Sequence, residues 1–271
     1  MTGVAAANRS IHPTAVVDPA AEIGPGVRIG PFAVVGPNVK LGAGCVIHAH
    51  VVVDGDTELG PGVEVFPQAV LGMAPQDLKF DGRRTRLRVG ARTIVREGAT
   101  LHPGSSNGEG LTEVGQDVLI MAYCHVAHDC RIGDRVVMAN ATQIAGHCVI
   151  EDGAVLGGAT TVHQYCRIGT RALTGASARV QLDVAPFCIA DGNPARLYGL
   201  NIVGLRRDGR SAAAIAELKS AYRALFRRDR YASALADISR DACSVEVRTM
   251  CAFLQASRRG VTRAGRRRGR R

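Results

Sequence analysis

The sequence predicts a β protein: a parallel β-helix of hexapeptide repeats followed by a small C-terminal α-helical domain. Three observations carry that expectation. An aliphatic residue recurs every six positions, from Ile11 through Val17, Ile23, Ile29, Val35, Leu41, Ile47, Val53, Leu59, Val65 and Leu71. The residue after it is often glycine, as in Ile23-Gly24, Ile29-Gly30 and Leu41-Gly42. The chain of 271 residues is 46% hydrophobic yet has no tryptophan and only 4% aromatic residues, which suits thin stacked layers lined by Val, Ile, Leu and Ala. A period of six excludes an α-helix at 3.6 residues per turn and is too long for simple strand alternation. Three hexapeptides close one triangular coil of about eighteen residues, and coils stack at the spacing of hydrogen-bonded strands, roughly 4.8 Å. The aliphatic residue is expected to point inward, and the Gly, Asn or Asp beside it to relieve the backbone at the turn.

Taken in order, residues 1–10 form an N-terminal extension and residues 11–190 the β-helix. The register breaks after Leu71 and returns at Val89, Val95 and Leu101. It breaks again, then runs from Val114 through Ile120, Val126, Ile132, Met138, Ile144, Ile150, Leu156, Val162, Ile168, Thr174 and Val180. The interruptions at 73–88 and 107–113 read as loops extruded from the coil, the first polar and basic, the second Gly-rich; loops on a rigid scaffold tend to carry binding residues. After Pro186 the hexapeptide logic fails. Ser211 is placed to cap a helix whose apolar face is Ile215, Leu218, Tyr222, Leu225 and Phe226, and a second helical segment is expected near 233–255, so residues 191–256 form the helical domain.

The formal net charge is +10, but residues 256–271 hold eight arginines and no acid, leaving about +2 for the rest. The excess therefore marks a solvated tail, 257–271, expected to be disordered and dispensable for turnover, rather than a nucleic-acid-binding face. The N-terminus MTGVAAANRS has no basic region followed by an apolar stretch, and no run approaches the ~18 apolar residues of a membrane span, so a cytoplasmic protein is expected. Five of the eight cysteines follow the repeat. Counting the aliphatic residue as place one, Cys45, Cys124, Cys130, Cys148 and Cys166 all fall at place five, where other repeats put Val, Ala or Thr. With no Cys-x-x-Cys pair, they read as small interior side chains rather than as metal ligands or disulfides.

The histidines break the pattern. With the second loop subtracted, a period of eighteen stacks His102, Ala127, Ala145 and His163 in one column at place two. It stacks His128, Gly146 and Gln164 at place three, and Asp129, His147 and Tyr165 at place four; His125 ends the preceding hexapeptide beside the same corner. One histidine on such a surface is usually a satisfied bystander, whereas five in a patch beside two extruded loops point to a reaction site. Imidazole titrates near pH ~6.5, so a neutral ring can accept a proton from a hydroxyl at cellular pH.

Longer strings narrow the reading. IHPTAVVD at 11–18, IGPFAVVGPNV at 29–39, PQDLKF at 75–80, HVAHDC at 125–130, VHQYC at 162–166 and NIVGLRR at 201–207, in this order, resemble the UDP-N-acetylglucosamine O-acyltransferase family of lipid A biosynthesis, within the hexapeptide-repeat acyltransferases. The resemblance implies a left-handed coil, a homotrimer with sites between subunits, and no bound cofactor or metal. It implies a 3-hydroxyacyl donor carried on the phosphopantetheine of acyl carrier protein, and the 3-hydroxyl of UDP-N-acetylglucosamine as acceptor. By the same resemblance His128 is the general base, Asp129 orients its ring, and the Gly146 N–H holds the oxyanion. His102, His125, His147, His163 and Asp77 are implied on the sugar, Lys79 and Asn201 on the nucleotide, Gln164 in the cleft, Arg207 on phosphate, and Ala176 as the acyl-length ruler. The chain departs from the family at Asp208, where a second basic residue is usual, and at Pro103 and Ser105, where Arg and Thr are usual. Two alternatives stand beside this reading. A related acyltransferase with an amino-sugar acceptor would be expected to need an N-terminal domain for which the residues before Ile11 leave no room. A γ-class carbonic anhydrase-like enzyme would hold zinc through three histidines.

Overall fold

The structure is a computed structural model and describes residues 10–226 and 231–265. Most of the N-terminal extension (1–9) and residues 266–271 of the arginine-rich end lie outside the described residues. Mostly two-residue strands, separated by corners, stack into three sheets of 11, 9 and 8 strands, parallel throughout the repeats. Val46–Ile47, for instance, lies between Arg28–Ile29 and Glu64–Val65, one coil below and one above. The sheets form three faces of a prism. Ser10–Ile11 opens the first face, Val16–Val17 the second and Glu22–Ile23 the third.

In each repeat strand the second residue turns inward. Ile47, Leu71, Ile120, Ile144, Leu156 and Ile168 are fully buried, and each contributes roughly 1.5–3 kcal/mol by leaving water. Two positions earlier the interior narrows and takes small residues, among them all five cysteines of the repeat. The thiols of Cys130 and Cys148 donate to the carbonyls of Ala145 and His163, each at 3.2 Å. Burial pushes the Cys124 thiol up to about 11 and Cys166 to about 12, so these thiols pack as hydrophobes.

One expectation about the corners needs correcting. Gly24, Gly30 and Gly42, which follow the aliphatic residue, do not supply left-handed backbone. A Cβ on Gly24 would sit 2.8 Å from the carbonyl oxygen of Leu41, and one on Gly42 would sit 2.7 Å from the carbonyl carbon of Gly60, so these glycines admit the next coil. The left-handed residue lies two places further on and is frequently not glycine: Phe32, His50, Tyr123, Asp129, His147 and Tyr165 all have φ between 57° and 63°.

The extruded loops end earlier than the sequence suggests. Arg86–Val89 and Leu111–Val114 are four-residue strands of the third face, paired with each other in register, and alternation buries Leu87 and Val89. The loops are therefore 72–85 and 102–110. The helical domain likewise begins later than residue 191. Cys188–Asp191 continues the first face, and Arg196–Leu200 pairs antiparallel with it to finish that sheet. Helices α1 (Ile202–Arg207) and α2 (Ala212–Phe226) follow. Ser211 Oγ accepts the N–H of Ala214 at 3.1 Å, and α2 buries Ile215, Leu218, Ala221, Tyr222 and Leu225. The single segment expected near 233–255 is two helices, α3 (Tyr231–Asp241) and α4 (Val245–Gln255). Between them Glu217 accepts the N–H groups of Cys243 and Ser244, each at 2.9 Å, and Ser244 caps α4.

The tail is corrected as well. Residues 257–265 are not disordered: they return along the last coils, with bridges from Val261 to Asp183 and from Ala264 to Leu197. The buried Asp183 anchors the turn by accepting the Ser257 hydroxyl at 2.7 Å. Among the described residues no helix is long and apolar enough to cross a membrane.

Candidate active site

Both loops leave the prism where the second face turns into the third, from the two coils that immediately precede His125–Val126. They therefore wall in the corner formed by residues 127–130, 145–148 and 163–166. The register His125↔Gln143↔Thr161 stacks His128, Gly146 and Gln164 in one column, and Asp129, His147 and Tyr165 in the next. Beside them opens a cavity of about 420 Å³, lined in part by Gln76, His102, His125, His128, Gly146 and Gln164.

Neighbours along a strand face apart, but Asp129 sits at φ 57°, and that left-handed turn brings its carboxylate round to its own neighbour. His128 Nδ1 lies 2.8 Å from Asp129 Oδ2. A carboxylate only accepts, so Nδ1 carries the hydrogen and Nε2 is left with a free lone pair. Asp129 is buried and also accepts the N–H of Ser105 at 2.9 Å and that of Gly110 at 3.0 Å, which ties the second loop to the dyad. Ser105 makes a further bond: its hydroxyl donates to Asp77 at 2.5 Å, joining the first loop to the second. That hydroxyl, more than the Lys79 N–H, holds the Asp77 carboxyl below its usual range.

The other rings are fixed by packing. His125 shares a proton with Thr100 Oγ1 at 2.7 Å, and burial, assisted by the nearby His102 and His128, lowers it to about 4. His102 is buried, with Nδ1 2.9 Å from the Met73 carbonyl and no partner at Nε2 among the described residues. His147 meets His128 edge-on at 4.9 Å and stacks on Tyr165 at 4.5 Å; burial lowers its titration, against the opposing pull of Asp129. His128, Asp129 and His147 also form a group whose ligand atoms lie within 4.8 Å, the spacing of a metal site. It offers two histidines rather than three, and both oxygens of its carboxylate already accept hydrogen bonds.

His163 stands on the same edge further along the axis, and Lys79 is exposed on the first loop. Three expected residues lie elsewhere in the chain. Asn201 caps α1 and Arg207 is its last residue, near the corner between the third and first faces. There Asn201 is buried, its Oδ1 accepting from Gly204 at 2.9 Å and its Nδ2 donating to the Arg171 carbonyl at 3.1 Å. Asp208 pairs with Arg171 at 2.7 Å. Ala176 is exposed on the corner between the first and second faces. Sequence reasoning also missed two residues that stand at this site. Gln76 lines the cavity, and Arg259 donates to His163 Nδ1 at 2.8 Å. Gln76 lies within PQDLKF, and Arg259 within the arginine run.

Comparison with known proteins agrees with this architecture. Residues 183–262 match the family model "Udp N-acetylglucosamine O-acyltransferase; Domain 2", and residues 20–55 and 112–146 match the bacterial transferase hexapeptide model. The chain is 42% identical to the acyl-[acyl-carrier-protein]–UDP-N-acetylglucosamine O-acyltransferase of Thermodesulfovibrio yellowstonii, over 93% of this chain and 99% of the relative. With the enzyme of the same name from Trichlorobacter lovleyi it shares 53% identity over 71% of this chain and 76% of the relative. The crystal structure of UDP-N-acetylglucosamine O-acyltransferase from Moraxella catarrhalis superposes with a TM-score of 0.91 at 36% identity, covering 93% of this chain and 99% of that one. The coil is thus the left-handed β-helix, with a small helical part behind it.

Proposed function

The chain belongs to the UDP-N-acetylglucosamine O-acyltransferase family, enzymes of the first step of lipid A biosynthesis, and on that premise we propose that it moves a 3-hydroxyacyl group from acyl carrier protein to the 3-hydroxyl of UDP-N-acetylglucosamine, with His128 as base. The observation that carries the reading is the dyad: Asp129 holds the hydrogen on His128 Nδ1, which turns a lone pair on Nε2 toward substrate. Nε2 takes the proton of the sugar hydroxyl as its oxygen attacks the thioester carbonyl. The tetrahedral oxyanion is met by the Gly146 N–H, which donates to nothing else among the described residues. Collapse breaks the C–S bond, and the imidazolium returns its proton to the pantetheine sulfur. Buried Asp129 stabilises the imidazolium between the two transfers. No covalent enzyme intermediate, metal or resident cofactor enters the sequence.

Asp77, His102, His125, His147, His163 and Gln164 hold the sugar and the acyl head. Lys79 and Arg207 meet the phosphates. Asn201 serves the nucleotide through the turn it caps, since both ends of its amide are engaged within the chain. Arg207 and Ala176 lie on other edges of the prism, so one ligand reaches all three edges only between copies, in a homotrimer. The outer surfaces favour that arrangement. The first face exposes partly buried aliphatics, Val46, Ile94, Leu119, Val137, Val155 and Leu173, whereas the third carries ion pairs such as Glu22–Lys40 and Arg88–Glu58. Acyl carrier protein and a sugar nucleotide are reagents of the cytoplasm, where this reading puts the enzyme.

The test is to incubate the purified chain with UDP-N-acetylglucosamine and 3-hydroxyacyl carrier proteins of graded length. The expected product is heavier by one acyl group and releases it in mild alkali, as an ester does. An alkali-stable product, or none with any donor, contradicts the reading.

A further inference from the structure

The arginine-rich end contains one arginine unlike its neighbours. Residues 257–265 are pinned on both sides of it. Before it, the Ser257 hydroxyl donates to Asp183 at 2.7 Å; after it, Thr262 donates its N–H to the Asp183 carbonyl at 2.8 Å and its hydroxyl to the Leu182 carbonyl at 3.1 Å. Between these anchors Arg259 is half-buried, while Arg258 and Arg263 are exposed. Its Nε donates to the Gln181 carbonyl at 3.1 Å, which fixes the plane of the guanidinium, and its Nη2 reaches His163 Nδ1 at 2.8 Å.

A guanidinium has donors and no acceptor. His163 Nδ1 must therefore offer its lone pair, and the ring hydrogen sits on Nε2. The Gln164 carbonyl lies 3.3 Å from the same nitrogen and would favour the opposite tautomer. The arginine contact is shorter and charge-assisted, so it prevails. Nε2 has no partner among the described residues and is left as a donor. His128 is the mirror case: a carboxylate at Nδ1 leaves Nε2 an acceptor. One prism edge thus carries two histidines set to opposite tautomers by partners of opposite charge.

We propose that Arg259 is a positioning residue for acyl transfer, holding His163 as an Nε2–H hydrogen-bond donor to the bound substrates. The proposal rests on the reading of His163 as a substrate contact. The experiment is nitrogen-15 NMR of the ring nitrogens in the full chain, with the His163 signals identified by their loss in His163→Gln, combined with steady-state kinetics of Arg259→Ala and Arg259→Lys. In the unmutated enzyme His163 is expected to show a bare Nδ1 and a protonated Nε2. Arg259→Ala is expected to mix the tautomers and raise KM for the sugar nucleotide about tenfold, the loss of one good hydrogen bond, with a smaller change in kcat. Arg259→Lys keeps a donor-only cation and is expected to restore most of both. Protonated Nδ1 in the unmutated enzyme overturns the proposal without any variant having to fold. An unchanged tautomer in a folded Arg259→Ala protein overturns it as well. If the tautomer shifts as expected but His163→Gln turns over normally, the assignment of His163 to the substrate fails while the arginine's hold on the ring stands.

Discussion

Two corners of the prism share one backbone and differ in chemistry. Where the second face meets the third, Asp129, His147 and Tyr165 sit at φ 57–63°; where the third meets the first, Asp117, Arg135 and Arg171 sit at φ 55–57°. Both corners hold acids. At the second of them Asp134 and Asp152 accept the N–H groups of Gln116 and Asp134, each at 3.0 Å, and their carboxylates remain open to water. At the first, Asp129 accepts N–H groups that come from an extruded loop, is buried beneath it, and still has an oxygen for His128. The coil supplies geometry to every corner alike. On the proposed reading, reactivity arises where two loops exclude water from a carboxylate and an imidazole stands beside it.

Substitutions at the two corners test that difference. A Cβ on Gly146 would lie 2.6 Å from His128 Cε1 and 2.7 Å from Nε2, so Gly146→Ala displaces the base. Its kcat is expected to fall by ~10²-fold or more, the range of general-base catalysis. Gly133→Ala, whose Cβ would meet Asp152 Oδ1 at 2.4 Å, is expected to leave kcat of the folded enzyme unchanged and cost ~1–3 kcal/mol in urea unfolding. Equal kinetic losses in both would erase the distinction between the corners.

The acids make a second pair. Asp129→Ala strands the Ser105 and Gly110 N–H groups and is expected to cost ~1–3 kcal/mol of stability together with most of kcat. Asp134→Ala is expected to cost ~0.5–1.5 kcal/mol, with kcat intact.

Acid separates the corners further. Burial holds His125 at about 4, below the ordinary histidine value, and lowers His147 in the same direction. The unfolded chain therefore binds protons more readily than the folded one between about pH 6.5 and 4. This contribution is present in full above pH ~6.5 and is lost as pH falls through that window. The unfolding midpoint is expected to drop between pH ~7 and ~5, and to drop less in His125→Gln. Identical slopes would show that the reactive corner does not carry the acid lability.

The smallest effect lies on the remaining edge. If Ala176 ends the acyl groove, Ala176→Met should shift kcat/KM toward shorter donors and Ala176→Gly toward longer ones. Each methylene of fit is worth ~1–3 kcal/mol in discrimination.

The sequence made the coil legible because an inward aliphatic recurs every six residues through most of the repeats, and the stacked columns of the site follow from that spacing. The Asp129 contact was harder to read: strand alternation sends neighbours apart, and only the left-handed φ of the corner reverses it. The end of the first loop is not legible at period six because Arg86–Val89 alternates at period two. The ordered return of 257–265 was concealed by composition. Eight arginines suggest a solvated tail, while the contacts that fix it come from Asp183, Gln181 and His163, far away in sequence.

The most direct measurement is acyl transfer by His128→Ala at saturating donor and sugar nucleotide, alongside its unfolding curve. The account expects kcat to fall by ~10²–10⁴-fold while sugar-nucleotide binding and the unfolding midpoint stay near those of the unmutated enzyme. A folded His128→Ala enzyme that turns over at close to the normal rate would contradict it.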